Sequence, residues 1–369
     1  MTVDRIDGLA SLDKVRARWN AIYAADNQAT IFVSHAWLRS WASVAEFPFI
    51  LAFRPTTTGQ YVAFLALQMH AVRSRGFVVD RELRLGGSPF ADYPGMVCMP
   101  GFEDQAISAY SQFLKRHLAW DTFVLNDIRD PRCVRLVDSF ASEEFDVEPS
   151  GQIACPFIEL PSDWEQYLIG QVGSRSRRAL RRRMREVEAL PKLRVVDVSA
   201  DNLKSQIETV IALNQARWGR DNRAKTFEAI YRGCFDAHCL WIRTLWDGEV
   251  PIAAVSGFVD EARSTFYSYS SGFNPAYAPI SPGLVVMAYS IKYAVENGLR
   301  VYDFLRGGEE YKYSFGARDR FSKHWLIRRR SMRRILITGA RRILSGARRL
   351  TSRFAISSEQ AGRVDVETP

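Results

Sequence analysis

Three strand-length runs with almost nothing between them do most to limit what this chain can fold into. Leu240–Asp247, Val250–Val259 and Thr265–Phe273 are rich in aliphatic, aromatic and β-branched residues, and Asp247-Gly248-Glu249 makes a tight turn between the first two. Connections this short suit an antiparallel meander. A helical stretch, Gly283–Asn297, follows; Gly298 stops it, and Leu299–Leu305 is another strand-length run. A meander followed by a single crossover fits an α+β fold with mixed sheets better than a doubly wound one.

The first half of the chain predicts a similar order. An amphipathic helix is expected over residues 8–25, with Leu9, Leu12, Val15, Trp19 and Ile22 on one face, and a second over Phe32–Val44, capped by Ser34. Phe49–Phe53 and Tyr61–His70 read as a strand pair, Arg81–Gly87 as a strand entering a glycine turn, Glu103–Leu118 as a helix and Thr122–Ile128 as a strand. Arg132–Phe140 is expected to be a short helix. A second unit begins near Ile153, with helices over Asp163–Leu168, Ser174–Leu190, Leu203–Trp218 and Thr226–His238 and a last strand over Phe321–Ile327. A chain of 369 residues is too long for one ordinary core, so domains are expected over 1–150 and 151–327, followed by a basic helical or disordered tail over 328–369.

Charge narrows the partners. The net charge is +9, but residues 326–369 hold eleven Arg against Glu359, Asp365 and Glu367, which is +8. The remainder is nearly neutral, which argues against nucleic acid as the partner of the globular part. In the tail, Ile335-Leu336 and Ile343-Leu344 recur beside Arg333-Arg334 and Arg341-Arg342, the pattern of a basic amphipathic helix that could lie on an anionic membrane, or equally bind nucleic acid or an acidic partner, with a disordered solubilising tail as the plainer alternative. No run of eighteen apolar residues and no signal-like start are present, so a cytoplasmic protein, peripheral at the inner face of the membrane, is expected. The five cysteines are scattered and odd in number, which suggests no disulfide framework. Cys234, His238 and Cys239 lie close together but lack the second ligand pair of a structural zinc site, so no metal is expected.

Candidate chemistry gathers at the end of Val301–Leu305. Asp303, Arg306, Glu309, Glu310 and Lys312 crowd a Gly307-Gly308 hinge. Lys312, flanked by Tyr311 and Tyr313, is suited to stabilise an oxyanion, and Asp303 or Glu309 to accept a proton from an attacking amine or hydroxyl. Ser270-Ser271-Gly272 ends the preceding strand, and Ser281-Pro282-Gly283 opens a helix whose unpaired N–H groups suit an anion. Ser271, Gly272, Ser281 and Gly283 are therefore the candidate donor-binding positions. Arg178, Arg181, Arg182 and Arg185 share one face of the Ser174–Leu190 helix and could clamp an anionic substrate. A salt-bridge cluster, a capped helix and a solvated helix face are the plainer alternatives for these three features. No G-x-S-x-G elbow, Walker loop or G-x-G-x-x-G fingerprint occurs, which argues against a covalent intermediate, a P-loop nucleotidase and a Rossmann dehydrogenase.

Four motifs in order carry a resemblance. Asp303–Gly316 resembles the "DFLRGDEPYKxxFG" signature of the BioF2-like acetyltransferases of the GNAT superfamily, which include CelD/BcsL-type proteins of polysaccharide synthesis. Ser176, Arg178, Leu180, Arg181, Arg182, Arg185 and Glu188 match the same family's "SKxxRxxLRRxxRxLE" helix. Phe32–Trp41 is similar to "FQSPxWLxxW", and Leu85–Tyr93 to "LGxxxSDY". The resemblance implies two tandem GNAT-like domains, as in the related Fem peptidyltransferases. It implies direct acyl transfer from acyl-CoA (acetyl-CoA) or another ester donor to a saccharide or amine acceptor, with Lys312 at the tetrahedral intermediate and Arg306 and Tyr311 near the substrate. It departs from the superfamily at Ala278–Gly283, where one glycine stands in place of an R/Q-x-x-G-x-G/A phosphate loop. That departure leaves an aminoacyl donor, or a non-catalytic scaffold in a polysaccharide synthase, as alternatives.

Overall fold

The structure, a computed structural model, describes residues 2–330 apart from 47, 57–58, 75 and 220–222. The chain begins with β1 (Thr2–Asp7), α1 (Leu9–Lys14), α2 (Arg16–Ala25) and α3 (His35–Ala42). The one helix expected over 8–25 is two, broken at Val15, but Leu12, Trp19 and Ile22 are buried as its stripe required. Ser34 caps α3 as expected, its hydroxyl accepting the Trp37 amide at 3.3 Å. Next come β2 (Pro48–Arg54), β3 (Ala63–Ser74), β4 (Phe77–Leu85), β5 (Met96–Cys98), α4 (Glu103–Arg116), β6 (Thr122–Ile128), α5 (Pro131–Asp138) and β7 (Phe145–Ala154).

The second run is β8 (Phe157–Glu159), α6 (Trp164–Gly170), α7 (Ser174–Glu188), β9 (Leu193–Asp197), α8 (Leu203–Trp218) and α9 (Ala224–Asp236). The meander follows as β10 (Leu240–Asp247), β11 (Val250–Asp260) and β12 (Thr265–Phe273). Then come α10 (Pro282–Glu296), β13 (Val301–Asp303), α11 (Glu310–Tyr313) and β14 (Phe321–Arg329).

Two mixed sheets result, as an α+β fold requires. The first runs β1-β2-β3-β4-β6-β14-β7 with β5 beside β3; the second runs β8-β13-β12-β11-β10-β9. The meander is antiparallel throughout, and the α10 crossover brings β13 back parallel to β12. Phe321–Ile327, expected to finish the second unit, instead pairs on one side with β6 and on the other with β7, inside the first sheet. Its apolar residues complement that core: Ile327 is fully buried among Phe123, Phe140 and Phe145. A core cluster joins Phe32, Trp37 and Tyr93 of the first half to Tyr231, Phe258 and Tyr267 of the second. Phe32 packs edge-on against Tyr93, Phe258 and Tyr267, so an aromatic stack ties the halves together.

Candidate active site

The site grows out of one irregularity in β12. Ser256 of β11 faces Ser270, but Gly257 faces Ser268, so Tyr269 is an extra residue in the strand. A bulge of this kind bends its strand and re-aims a side chain. Here the Tyr269 hydroxyl reaches the Phe90 carbonyl of the first half at 2.9 Å. The parallel pairing of β12 with β13 stops at Tyr267 and Asp303. Beyond it lies a cavity of about 530 Å³, bounded by Ser268–Ser271 on one strand and by Phe304, Leu305 and Arg306 on the other. Pro89, Phe90 and Asp92 from the first half, and Asn214, Arg223 and Phe227 from α8, α9 and the segment between them, complete the wall.

Backbone geometry sets the turn that carries the charges. Asp303 is fully buried; its Oδ1 accepts the Leu305 amide at 2.9 Å and the Tyr93 hydroxyl at 3.1 Å, and Arg320 holds its other oxygen. The amide contact accompanies a left-handed conformation at Leu305, φ 60°. Gly307 follows at φ 104°, and a Cβ there would lie 2.6 Å from Glu309 Oε2. Only glycine allows both the backbone angle and the fold-back of the Glu309 carboxylate. α11 then brings Lys312 inward, with 4% of its side chain exposed. Its Nζ donates to the carbonyls of Arg306 at 3.0 Å and Gly307 at 2.8 Å and lies 2.8 Å from Glu309 Oε2. The ammonium thus has three contacts for its three protons. Glu309 Oε2 meets the ammonium as an ion pair and has no hydrogen-bond partner among the described residues; the carboxylate remains 38% exposed, and Glu309 lines the cavity.

The structure brings some of the expected residues together and separates others. Lys312, Glu309, Arg306, Tyr311 and Ser271 all line the cavity. Asp303 does not; its contacts to Arg320, Tyr93 and Leu305 make it the anchor of the turn. Arg306 does not pair within its own turn. It spans to the first half, with Nε 3.2 Å from Asp92 Oδ1, an ion pair to Asp127 and a hydrogen bond to the Pro89 carbonyl at 2.6 Å. Burial raises the Asp92 carboxyl to about 6 against the lowering effect of Arg306.

Gly272 lies off the cavity, where β12 meets α8: a Cβ on it would sit 2.3 Å from the Leu213 backbone. Ser281 is left-handed, φ 52°, and does not cap α10 with its side chain; its amide donates to the Ala278 carbonyl at 3.0 Å. Neither Ser281 nor Gly283 lines the cavity; Pro275–Ile280, just before them, coils into a 3-10 turn. Arg178, Arg181, Arg182 and Arg185 are exposed on α7, outside the cavity. Arg181 pairs with Glu165, and Arg182 lies 3.6 Å from Glu186, as on a solvated helix face. α7 buries Leu180 and Val187 against the core instead, and amphipathic packing turns its arginines outward. Cys234 is buried, and the Cys239 thiol donates to the Cys234 carbonyl at 3.3 Å.

Sequence reasoning did not find Phe90, Asp92, Asn214, Arg223, Phe227 or Tyr269 as site residues. Only the Leu85–Tyr93 turn carried a usable signal for two of them, Phe90 and Asp92. The others are ordinary in sequence and are recruited by the packing of α8, α9 and the β12 bulge.

Residues 174–313, from the start of α7 to the end of α11, match the family model described as an acetyltransferase (GNAT) domain. No curated protein matches the chain. Among solved structures it is similar to FemX, at 10% identity and a TM-score of 0.62, over 89% of this chain and 97% of that one. The C-terminal domain of a putative lysylphosphatidylglycerol synthetase from Agrobacterium fabrum aligns at 11% identity and a TM-score of 0.52, over 90% and 97%. A tandem GNAT protein from the clavulanic acid biosynthesis pathway aligns at 11% identity and a TM-score of 0.50, over 89% and 98%. Residues 174–313 are therefore similar to a GNAT acetyltransferase domain, and the fold is GNAT-like across both halves.

Proposed function

We propose that this acyltransferase moves an acyl group directly from a thioester or ester donor to an amine or hydroxyl, in the cavity where β12 and β13 part. The observation that carries the reading is the pair of buried Lys312 with half-exposed Glu309 on the cavity wall. An attacking amine must lose a proton as the tetrahedral intermediate forms, and the half-exposed Glu309 carboxylate is placed to take it. As that carboxylate is neutralised, its hold on Lys312 falls. The ammonium, fixed by two carbonyls, is then available to the developing oxyanion. No covalent enzyme intermediate is required. Asp92 and Arg306 would border the acceptor, and the serines of β12 the donor.

For the donor, the domain match favours acyl-CoA. For the acceptor, the sequence motifs favour a saccharide or a cell-envelope precursor of the kind handled by BioF2-like and CelD/BcsL-type proteins. An aminoacyl ester of the Fem type is the competing donor. It is favoured by the Ala278–Gly283 segment, where the 3-10 turn keeps the Ser281 amide for itself. Single-turnover transfer from acetyl-CoA, longer acyl-CoAs and aminoacyl esters to amino sugars tests the assignment. Lys312→Ala and Glu309→Gln should each slow transfer at least about 10²-fold with the fold retained. Full activity in Lys312→Ala would sink the role given to that residue.

A further inference from the structure

A second cavity, of about 420 Å³, lies between the halves beside the paired part of β12 and β13, lined there by Thr265, Tyr267 and Val301. Its character is set by Arg129, Arg263 and Arg320, against the single carboxylate of Asp130. Asp130 is consumed by Arg132, which donates to both of its oxygens at 2.9 Å and also to Asp26 at 2.7 Å. Arg263 is held by Asp260 and by the carbonyls of Tyr23 and Asp26. Arg320 pairs with Asp303 through a terminal nitrogen, yet its Nε is buried with no hydrogen-bond partner. Arg129 is half-buried and rests 4.6 Å from the centre of the Tyr93 ring. Among the described residues no carboxylate lies within ion-pair distance of it.

A planar fork without a carboxylate, in a cavity that Arg320 also lines, calls for an anion. The rings of Tyr93 and Tyr267 suit an apolar body, and Asn27, Gln28 and Thr30 of the first half supply polar side chains. We propose that this cavity binds a small organic anion, a carboxylate or a phosphate monoester, held by Arg129 and Arg320 and separate from the reaction cavity. Arg320 also holds Asp303, the anchor of the turn that carries Lys312, so the occupant would sit one ion pair from the reactive turn.

Calorimetry of the full chain with benzoate and with phenyl phosphate tests this and separates the two chemistries. At least one probe should bind saturably, and Arg129→Met should weaken it about tenfold, the loss of one charge-assisted bidentate contact. The exposed arginines of α7 and the tail are the same in every variant, so the difference between chains is the readout. Arg129→Lys keeps the charge without the fork and should fall between; it serves as the test if Arg129→Met does not fold. Lys312→Met should leave the affinity unchanged. Equal affinity in wild type and the Arg129 variants, or no saturable binding of either probe, overturns the proposal. Loss of binding in Lys312→Met in place of Arg129→Met would put the anion in the reaction cavity and overturn it equally.

Discussion

Asp92 is the residue at which the site bears most directly on stability. It is fully buried at the mouth of the reaction cavity, between Arg306 and the second carboxylate on that arginine, Asp127. Burial lifts its carboxyl to about 6, well above the usual carboxylate range, which corresponds to about 3 kcal/mol. Because the folded value lies above the unfolded one, the ionised form weakens the fold at pH above about 6. The penalty is lifted as pH falls from about 6 towards about 4. Urea unfolding of wild type and Asp92→Asn at pH 7, 6, 5 and 4 checks this: relative to the variant, wild type should gain about 2–3 kcal/mol over that range. A difference independent of pH would contradict it. Lys312 was legible from sequence as the cation of the turn. Asp303 reads from sequence as a proton acceptor, but its work as an anchor depends on Arg320 and Tyr93, which no local pattern connects to it.

Among the elements, β12 decides the shape of the site, and it does so through backbone contact. Gly272 lets the strand lie directly on α8, where Asn214 Nδ2 donates to the Ser271 carbonyl at 3.3 Å. Gly272→Ala would press a methyl group into the Leu213 backbone, which cannot swing aside as a side chain can. The expected cost is about 1–3 kcal/mol or more, with reduced transfer activity because Ser271 moves with the strand. Gly170→Ala, at the end of α6 with nothing near its Cβ, should be neutral to mildly stabilising under the same urea titration. Similar costs for the two variants would refute the close-approach argument. The span of β12 was readable from its composition, since Thr265–Phe273 is strand in the structure. Its bulge was not, because an extra residue shows only against the register of a partner strand.

At the scale of the whole molecule, the C-terminal strand holds the N-terminal sheet. β14 sits between β6 and β7, so its removal would expose both strand edges and the core around Ile327. Residues 1–320 are expected to fail to fold, by circular dichroism and limited proteolysis, and residues 1–330 to fold with activity intact. A folded, active 1–320 chain would show that the first sheet does not need β14. The same boundary corrects the tail: Arg328 and Arg329 belong to β14, and Arg330 lies 2.6 Å from Asp146, so a tail begins no earlier than residue 331. The remainder of the tail expected over 328–369 lies outside the described residues. Its proposed contact with anionic membranes is tested by comparing vesicle binding of the full chain and residues 1–330; equal binding would remove it. Among the described residues no helix is long and apolar enough to cross a membrane.

The sequence by itself determined the α+β class, the meander and its crossover, the buried stripe of the first helical segment and the charged turn at Asp303–Lys312. These are properties of local periodicity, turn chemistry and composition, which act over a few residues. Only the tertiary structure decided that Arg306 bridges to Asp92 and Asp127, that the α7 arginines face solvent, and that β14 returns to the first sheet. Those outcomes depend on which surfaces meet between segments beyond the reach of local pattern, and side-chain packing and strand register settle that only after the local elements have formed.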